Sequence, residues 1–390
     1  MSQAKTSGNL LTEGPIARKM LAFAFPLYLG NLFQQLYNTA DSLIVGNFIG
    51  SDALAAVSSS GSLIFLLVGF FNGVSVGAGV VIARYFGARD KESVERAVHT
   101  TVAFGLVAGV LLTVIGIIFT PLILRLMGTP EDVLPSSVLY FRIYFCGSVA
   151  FVMYNICVGI LQSAGDSKHP LYYLIFSSMT NVVLDLLFVA VFHWGVGSAA
   201  LATIISQFAS AILCFSRLVR SDAEYRIVIR RIRFDMPMLK LVVRNGLPTG
   251  LQNSIIALAN VVVQSNINAF GKMAVAGCGS YAKIEGFAFL PINCFAMALT
   301  TFISQNIGAG KYDRVKKGIR FGVLCSISLA EVIGVCINLA APVLISAFNS
   351  DPQVVETGYI RLMMLMVAHV FSLCYEVQAG YLRGFGISLP

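Results

Sequence analysis

Charged residues are scarce in this sequence. Asp, Glu, Lys and Arg together make up 12% of its 390 residues, about half the share of an ordinary soluble domain. Hydrophobic residues make up 57%, which is more apolar surface than a soluble fold needs. The sequence also lacks a catalytic triad, a Gly-rich phosphate loop and any metal-ligand spacing of His and Cys. These absences exclude a soluble enzyme and predict an all-α polytopic membrane protein.

Closely spaced cysteines are also absent. The eight cysteines lie singly within apolar stretches, so we interpret them as packing residues and expect neither disulfides nor a cysteine metal site. The formal charge of +8 does not indicate a nucleic-acid partner, because the basic residues form short clusters between apolar stretches. Such clusters are typical of topology signals in membrane proteins.

Ten apolar stretches are long enough to cross a bilayer, since about 20 helical residues span its ~30 Å hydrocarbon core. The predicted spans are residues 20–48, 53–82, 95–120, 135–161, 169–192, 196–218, 240–269, 275–304, 318–346 and 354–382. Lys and Arg gather in the loops on one side, whereas the opposite loops contain only Arg125 and Lys272. The positive-inside rule therefore predicts a plasma-membrane protein with both termini in the cytoplasm.

The sequence repeats itself at an offset of about 220 residues. Phe25-Pro26-Leu27 corresponds to Leu247-Pro248-Thr249, and Asn31 corresponds to Asn253. Both halves start on the same side, so the repeat is parallel, about an axis along the membrane normal. We predict a six-helix lobe at 1–220, a cytoplasmic connector at 221–239 and an incomplete four-helix lobe at 240–390.

The end of the repeat suggests how long the natural protein is. Pro390 corresponds to Pro170, after which the first half continues for two more spans. We therefore expect a natural length near twelve spans, of which this chain lacks the last pair. A protein that is complete with ten spans is the alternative.

The first span carries a polar stripe on an otherwise apolar helix. Asn31, Gln34, Asn38 and Asp41 recur at steps of three and four residues, which places them on one helical face. A carboxylate near mid-membrane is costly and commonly faces a cavity that serves ions or protons. The structural alternative is that Asp41 satisfies a neighbouring helix.

Spans five and six carry matching polar faces. Asn181 and Asp185 share one face of span five, and Ala199 and Thr203 share one face of span six. With a rise of 1.5 Å per residue, Asp41, Asp185 and Thr203 all lie ~10 to 12 Å below the outer surface. Oxygen ligands at one depth are typical of a site for a hard cation or a shared proton. If a metal ion binds, we expect Na⁺ at Asp41, Asn181 and Asp185.

Two further groups of residues carry weaker signals. Pro26 removes a hydrogen bond from the first helix, so it is either a hinge or a packing residue. Four charged residues in the second half either line a cavity or form structural pairs. They are Lys283, Glu285, Glu331 and Glu376.

Several motifs together resemble those of the multidrug and toxic compound extrusion (MATE) family. They include NTADSLIVG, RYFGARDKE, LQSAGDSKHP, GSAALATIISQ, SYAKIEGFAFLP and SQNIGAGKYDRVKKG. The resemblance implies twelve helices in two six-helix lobes and the export of cationic or amphipathic compounds in exchange for Na⁺ or H⁺. It further implies a cation site at Asp41, Asn181, Asp185 and Thr203, together with the carbonyl of Ala199.

The same resemblance bears on the substrate pocket and on the second half. It implies a substrate cavity lined by Gln34, Tyr37, Asn38 and Asn155. Some members of the family carry an acidic residue early in the seventh helix, where this sequence has Ile256. We therefore expect the cation site in the first half alone.

The leading hypothesis is a secondary active antiporter for small molecules. We expect no cofactor besides the coupling Na⁺ or H⁺, contact with membrane lipid, no nucleic-acid partner and a monomer. One alternative is a lipid-linked precursor flippase of the same superfamily, which would need a basic cavity that binds phosphate. Another is a membrane protein that transports nothing.

Overall fold

The computed structural model describes most of the chain. Its backbone is described over residues 10–48, 51–126, 131, 134–192, 194–195, 197–268, 270, 272–346 and 352–387. Within those ranges, some side chains lie outside the description. They are those at 38–48, 51–66, 190, 261, 264–265, 268, 272–277, 279–284, 287–288, 330, 342, 353–354 and 365–374.

The described chain is all-α, as predicted. Its helices in order are α1 (Ile16–Phe48), α2 (Ser51–Gly87), α3 (Lys91–Leu126), α4 (Leu134–Cys146), α5 (Ser148–Ser163), α6 (Lys168–Asp185), α7 (Gly197–Val219), α8 (Met236–Asn268), α9 (Lys272–Gly308), α10 (Tyr312–Ser346) and α11 (Pro352–Gly384). A π-helical segment, Leu186–Val191, extends α6, and a short 3₁₀ turn, Ile229–Arg231, lies in the connector. Each predicted span coincides with one of these helices or with an adjacent pair.

Within the described residues, five helices are long and apolar enough to cross a membrane, or six if the bent pair α4 and α5 counts as one span. The helix with the highest mean hydropathy is α3, and most of its apolar side chains point away from the rest of the protein. Such a surface is suited to lipid tails. The fold is therefore a membrane-embedded helical bundle.

The predicted span 135–161 is not one continuous helix in the structure. It consists of α4 and α5, which meet at an angle of 47° with Gly147 between them. A Cβ at Gly147 would lie 2.7 Å from Cγ1 of Ile204. The bend therefore lets α7 approach the backbone at a point where any side chain would obstruct it.

The predicted span 169–192 is regular only as far as Asp185. Beyond it the backbone widens into the π-helical segment, in which the Phe192 N–H donates to the Leu187 carbonyl five residues earlier. Such segments are rare and recur at functional sites. The connector also differs slightly from its predicted range, because α8 already begins at Met236, with Asp235 accepting a hydrogen bond from the Met238 N–H at 3.1 Å.

The two halves meet where α2 crosses α8. A Cβ at Gly73 would lie 2.6 Å from the Thr249 carbonyl oxygen, and a Cβ at Gly246 would lie 2.9 Å from the Val74 carbonyl oxygen. Both distances are shorter than side-chain contacts allow, so glycine is required for this backbone approach. The contact lies in the carboxy-terminal half of α2 and the amino-terminal half of α8. Both of these halves are on the side of the molecule where the connector lies. On that side, the two halves of the protein are therefore in direct contact.

Candidate functional site

Asn181 and Thr203 meet between α6 and α7. The Asn181 side-chain amide donates to Thr203 Oγ1 at 3.4 Å, and the Thr203 hydroxyl donates to the Ala199 carbonyl at 3.0 Å. All three residues are buried. A second link lies one turn away, where the Ser177 hydroxyl donates to the Ser206 carbonyl at 2.8 Å. The two helices are thus joined through polar groups in the interior of the protein.

One side-chain oxygen in this cluster can accept a hydrogen bond or coordinate a ligand. Asn181 Oδ1 is buried and accepts no hydrogen bond from the part of the chain that the structure describes. A buried acceptor without a donor is destabilising unless a ligand satisfies it. The donor set, made only of oxygens, suits a hard cation or a proton.

Asp185 completes the α6 side of the cluster. Its carboxylate lies one helical turn beyond Asn181 and is fully buried. Helix α1 packs against both α6 and the π-helical segment that follows Asp185. The side chains of Asn38 and Asp41 on α1 lie outside the described residues. The approach of Asp41 to Asp185 therefore stays a prediction, on a helix that runs beside the cluster.

A cavity of about 440 Å³ lies between the two halves. Of the residues predicted for the substrate cavity or the hinge, three line it, namely Pro26, Gln34 and Asn155. Tyr37 is half-buried on α1 and is not one of the lining residues. The remaining polar lining includes Asn31, Asn72, Ser75, Gln162, Ser167, Thr249, Asn253 and Asn293. Neutral amides and hydroxyls thus form most of its polar surface.

Helix α11 brings two charged residues to this cavity. Glu376 and Arg383 both line it, and Arg383 Nη2 donates to Gln252 Oε1 at 3.1 Å. Sequence reasoning considered Glu376 but did not assign Arg383 to the cavity, although LRGFG corresponds to LQSAG in the repeat. Glu285 and Glu331 are not lining residues, and Glu331 is exposed. The side chain of Lys283 lies outside the described residues.

Pro26 is buried in the first half of α1 and borders the cavity. Helix α1 continues through it from Ile16 to Phe48. Proline has no N–H, so the Ala22 carbonyl one turn earlier has no partner at that position of the helix. Helix α1 therefore lacks one backbone hydrogen bond beside the cavity, and the same helix carries Asp41. This placement is compatible with both the hinge and the packing interpretations.

Residues 10–14 form a short segment that we call the amino-terminal strap, and sequence reasoning did not identify it. The Leu11 N–H donates to Gln305 Oε1 at 2.9 Å, and Lys311 Nζ donates to the Thr12 carbonyl at 3.0 Å. Arg314 donates to the Leu11 carbonyl. Glu13 pairs with Arg89 of the first half at 2.8 Å. The strap therefore joins the two halves on the side where α2 and α8 touch.

Known proteins resemble this chain over nearly its whole length. The MatE family profile matches residues 26–187 and again residues 248–390. The probable multidrug resistance protein YoeA of Bacillus subtilis is 33% identical over 357 residues, which cover 90% of this chain and 76% of the relative. A second probable multidrug resistance protein of that organism, YpnP, is 28% identical over 384 residues, covering 97% of this chain and 84% of the relative.

Solved structures agree with these relatives. The outward-facing conformation of a multidrug resistance MATE family transporter superposes with a TM-score of 0.91 and 25% sequence identity. That match covers 99% of this chain and 86% of the solved chain. Two copies of the family profile, one in each half, fit the helix order described above. This chain therefore belongs to the MATE family of multi-pass membrane transporters, which are multidrug exporters and not enzymes.

Proposed function

We propose that this protein exports cationic or amphipathic compounds in exchange for Na⁺ or H⁺. The observation that carries the proposal is the position of α1 between two polar regions. One part of α1 lines the cavity with Pro26 and Gln34, and α1 also packs against α6 and its π-helical extension, where Asp185 lies. Any change at the α6 cluster that moves α1 also changes the cavity.

The cation is held by the oxygens of the α6 and α7 cluster. Asn181 Oδ1 and the Asp185 carboxylate come from α6, whereas Thr203 and the Ala199 carbonyl come from α7. We assign Asp41 of α1 as the second carboxylate. Two carboxylates in a low dielectric cannot both stay charged cheaply, so either a proton or Na⁺ must accompany them. Each ion that moves inward contributes about 2.3 kcal/mol per 100 mV.

The cavity lining favours amphipathic cations over phosphate-bearing lipids. Among its described residues, one carboxylate and one guanidinium are set in a surface of amides, hydroxyls and apolar side chains such as Leu171 and Met297. A flippase for a lipid-linked precursor would need several basic residues to hold its phosphates. Only Arg383 is available in the described lining, and Gln252 already accepts a hydrogen bond from it.

We place the closed side of the molecule in the cytoplasm. The basic loops lie on the side of the amino-terminal strap and the connector, and the positive-inside rule assigns that side to the cell interior. The α2 and α8 contact lies on the same side. The conformation is then the one that opens outward, in a plasma-membrane protein whose termini are both cytoplasmic. We further propose that it acts as a monomer surrounded by lipid.

The test is substrate transport across the membrane of reconstituted vesicles, driven by an imposed ion gradient. An outwardly directed substrate flux should follow either a Na⁺ gradient or a pH gradient, and Asp185→Asn should abolish it at an unchanged protein level. Glu331→Gln is the matched control, because Glu331 is an exposed carboxylate of α10 that does not line the cavity. Intact export by Asp185→Asn would refute the proposed coupling site.

A further inference from the structure

A second cavity, of about 300 Å³, lies where the connector crosses the start of α3. It is separate from the cavity between the halves. Its lining residues are Glu95, Arg96, His99, Thr100, Arg230, Arg231, Arg233 and Asp235. Half of these residues are arginines. Such a lining is typical of a site for phosphate-bearing ligands.

Hydrogen bonds hold the connector against α3 and so define the cavity wall. The Val228 N–H donates to His99 Nε2 at 2.9 Å, and the other ring nitrogen, Nδ1, lies 2.7 Å from the Glu95 carbonyl. The Asp235 N–H donates to Thr100 Oγ1 at 3.2 Å. His99 and Thr100 are both buried. The arginines therefore project from a backbone that is fixed at both ends of the cavity.

The charges in the cavity do not balance. Arg231 pairs with Glu95 at 2.5 Å, and Arg96 lies 3.7 Å from Asp235. These two contacts engage both carboxylates of the lining. Arg230 and Arg233 form no ion pair within the described part of the chain and are exposed. The cavity therefore has two positive charges available for an anion.

The position of the cavity along α3 fixes its depth. Leu106 is the first of a run of exposed apolar side chains on α3 that continues to Leu122, and this run marks the lipid tails. Thr100 precedes Leu106 by six residues, which is about 9 Å along the helix axis. The nearest wall of the cavity thus lies at the outer edge of the lipid headgroup layer, which is ~5 to 8 Å thick.

Apolar side chains alternate with the arginines along the connector. Ile229, Phe234 and Met236 are 63%, 41% and 67% exposed. Exposed apolar residues among basic ones are typical of a segment that lies in the membrane interface. A soluble phosphate would gain nothing from these side chains, whereas a phospholipid would contact them with its upper acyl chains.

We propose that this cavity binds the headgroup of an anionic phospholipid. Arg230 and Arg233 hold the phosphate, and Phe234 and Met236 contact the lipid below it. The lipid then occupies the junction between α3 and the connector that leads into α8. None of the residues that line this cavity lines the cavity between the halves, so lipid binding here is independent of the exported compound.

The experiment titrates the purified full chain in detergent with fluorescent phosphatidylglycerol and, in parallel, with fluorescent phosphatidylcholine. The double variant Arg230→Gln and Arg233→Gln should weaken phosphatidylglycerol binding about fivefold for each arginine removed. Phosphatidylcholine binding should not change. The charge-preserving double variant Arg230→Lys and Arg233→Lys should retain most of the affinity, which separates a loss of charge from a loss of fold.

The matched control is the double variant Arg220→Gln and Lys240→Gln. Both residues are exposed near the two ends of the connector and neither lines the cavity. We expect wild-type binding from it, because the cavity and not the general surface charge holds the lipid. Equal losses in both glutamine variants would overturn the proposal, as would equal binding of the two lipids by the wild type. Displacement of phosphatidylglycerol by millimolar inorganic phosphate alone would overturn the lipid assignment.

Discussion

The side-chain amide of Gln305 on α9 donates to the carbonyl of Ser163 on α5 at 2.7 Å. Through its other atom, Oε1, the same side chain accepts the Leu11 N–H of the amino-terminal strap. Gln305 is completely buried. One residue therefore links the second half both to the first half and to the strap, on the closed side of the molecule.

Replacing Gln305 with Glu should weaken this link. A carboxylate has no N–H to donate, so the buried Ser163 carbonyl would lose its partner and face a negative charge. We expect a loss of about 1–3 kcal/mol in the free energy of unfolding, measured by thermal melting in detergent. Gln378→Glu is the control, because Gln378 is exposed on α11. Equal melting temperatures for the two variants would contradict this assignment.

Thr203→Val should weaken the proposed cation site without disturbing its shape. Valine has nearly the same volume as threonine but offers no hydroxyl to Asn181 or to a cation. We expect the apparent affinity for the coupling ion to fall about three- to tenfold, measured by ion-dependent transport in vesicles.

The control for this change is Thr180→Val on α6. Its hydroxyl donates only to the Phe176 carbonyl of its own helix, on an exposed face. We expect wild-type ion dependence from this variant. The same loss in both variants would show that the hydroxyl of Thr203 has no special role.

Gly73→Ala should force α2 and α8 apart. The new Cβ would lie 2.6 Å from the Thr249 carbonyl oxygen and 2.7 Å from the Gly250 backbone, which no rotamer change relieves. We expect a destabilisation of about 1–3 kcal/mol in thermal melting. Gly334→Ala on α10 has open space around it and should instead stabilise its helix by up to about 1 kcal/mol. A stabilising Gly73→Ala would show that the halves are not in close contact there.

The stability of the junction between α2 and α3 should depend on pH through the Asp90 carboxyl. Hydrogen bonds from Ser93 lower the pKa of the Asp90 carboxyl below its ordinary value of 3.8. A lowered pKa in the folded state stabilises the protein above pH 3.8, and this contribution disappears as the pH falls through the folded-state pKa. Asp90→Asn keeps the side-chain shape but removes the charge.

The wild type should therefore melt at a higher temperature than Asp90→Asn at pH 7, and the difference should shrink as the pH falls below 3.8. Thermal melting of both proteins at several pH values measures this difference. If the difference in melting temperature stayed constant over that range, the charge of the Asp90 carboxylate would not contribute to the difference.

The sequence predicts the spans well because the length of an apolar run is a local property. It also predicts that Asp185 and Thr203 lie at one depth, because helical rise converts residue number into distance. The bend at Gly147 is not evident in the sequence, since the residues on both sides form helix and the close approach of Ile204 is a tertiary contact. The π-helical segment LLFVAV likewise has the composition of an ordinary helix.

Contacts between distant parts of the chain explain what else sequence reasoning missed. The strap is a few residues long, and its partners on α9 and α10 lie about 300 residues away. Arg383 lies in LRGFG, which corresponds to LQSAG in the repeat, but it is the packing of α11 against α9 that brings it to the cavity. Asp41 was identified by its cost in a membrane, and its distance from Asp185 stays a prediction.

The wide turn after Asp185 has a consequence for how relatives are aligned. A π-turn accommodates one more residue than an α-turn, so the chain beyond residue 185 is out of phase with the chain before it. A homologue that lacks one residue in this stretch can still carry its carboxylate in the same place. The gap in such an alignment belongs after the aspartate. The insertion or deletion would then leave the proposed ligands Asn181 and Asp185 aligned with their counterparts.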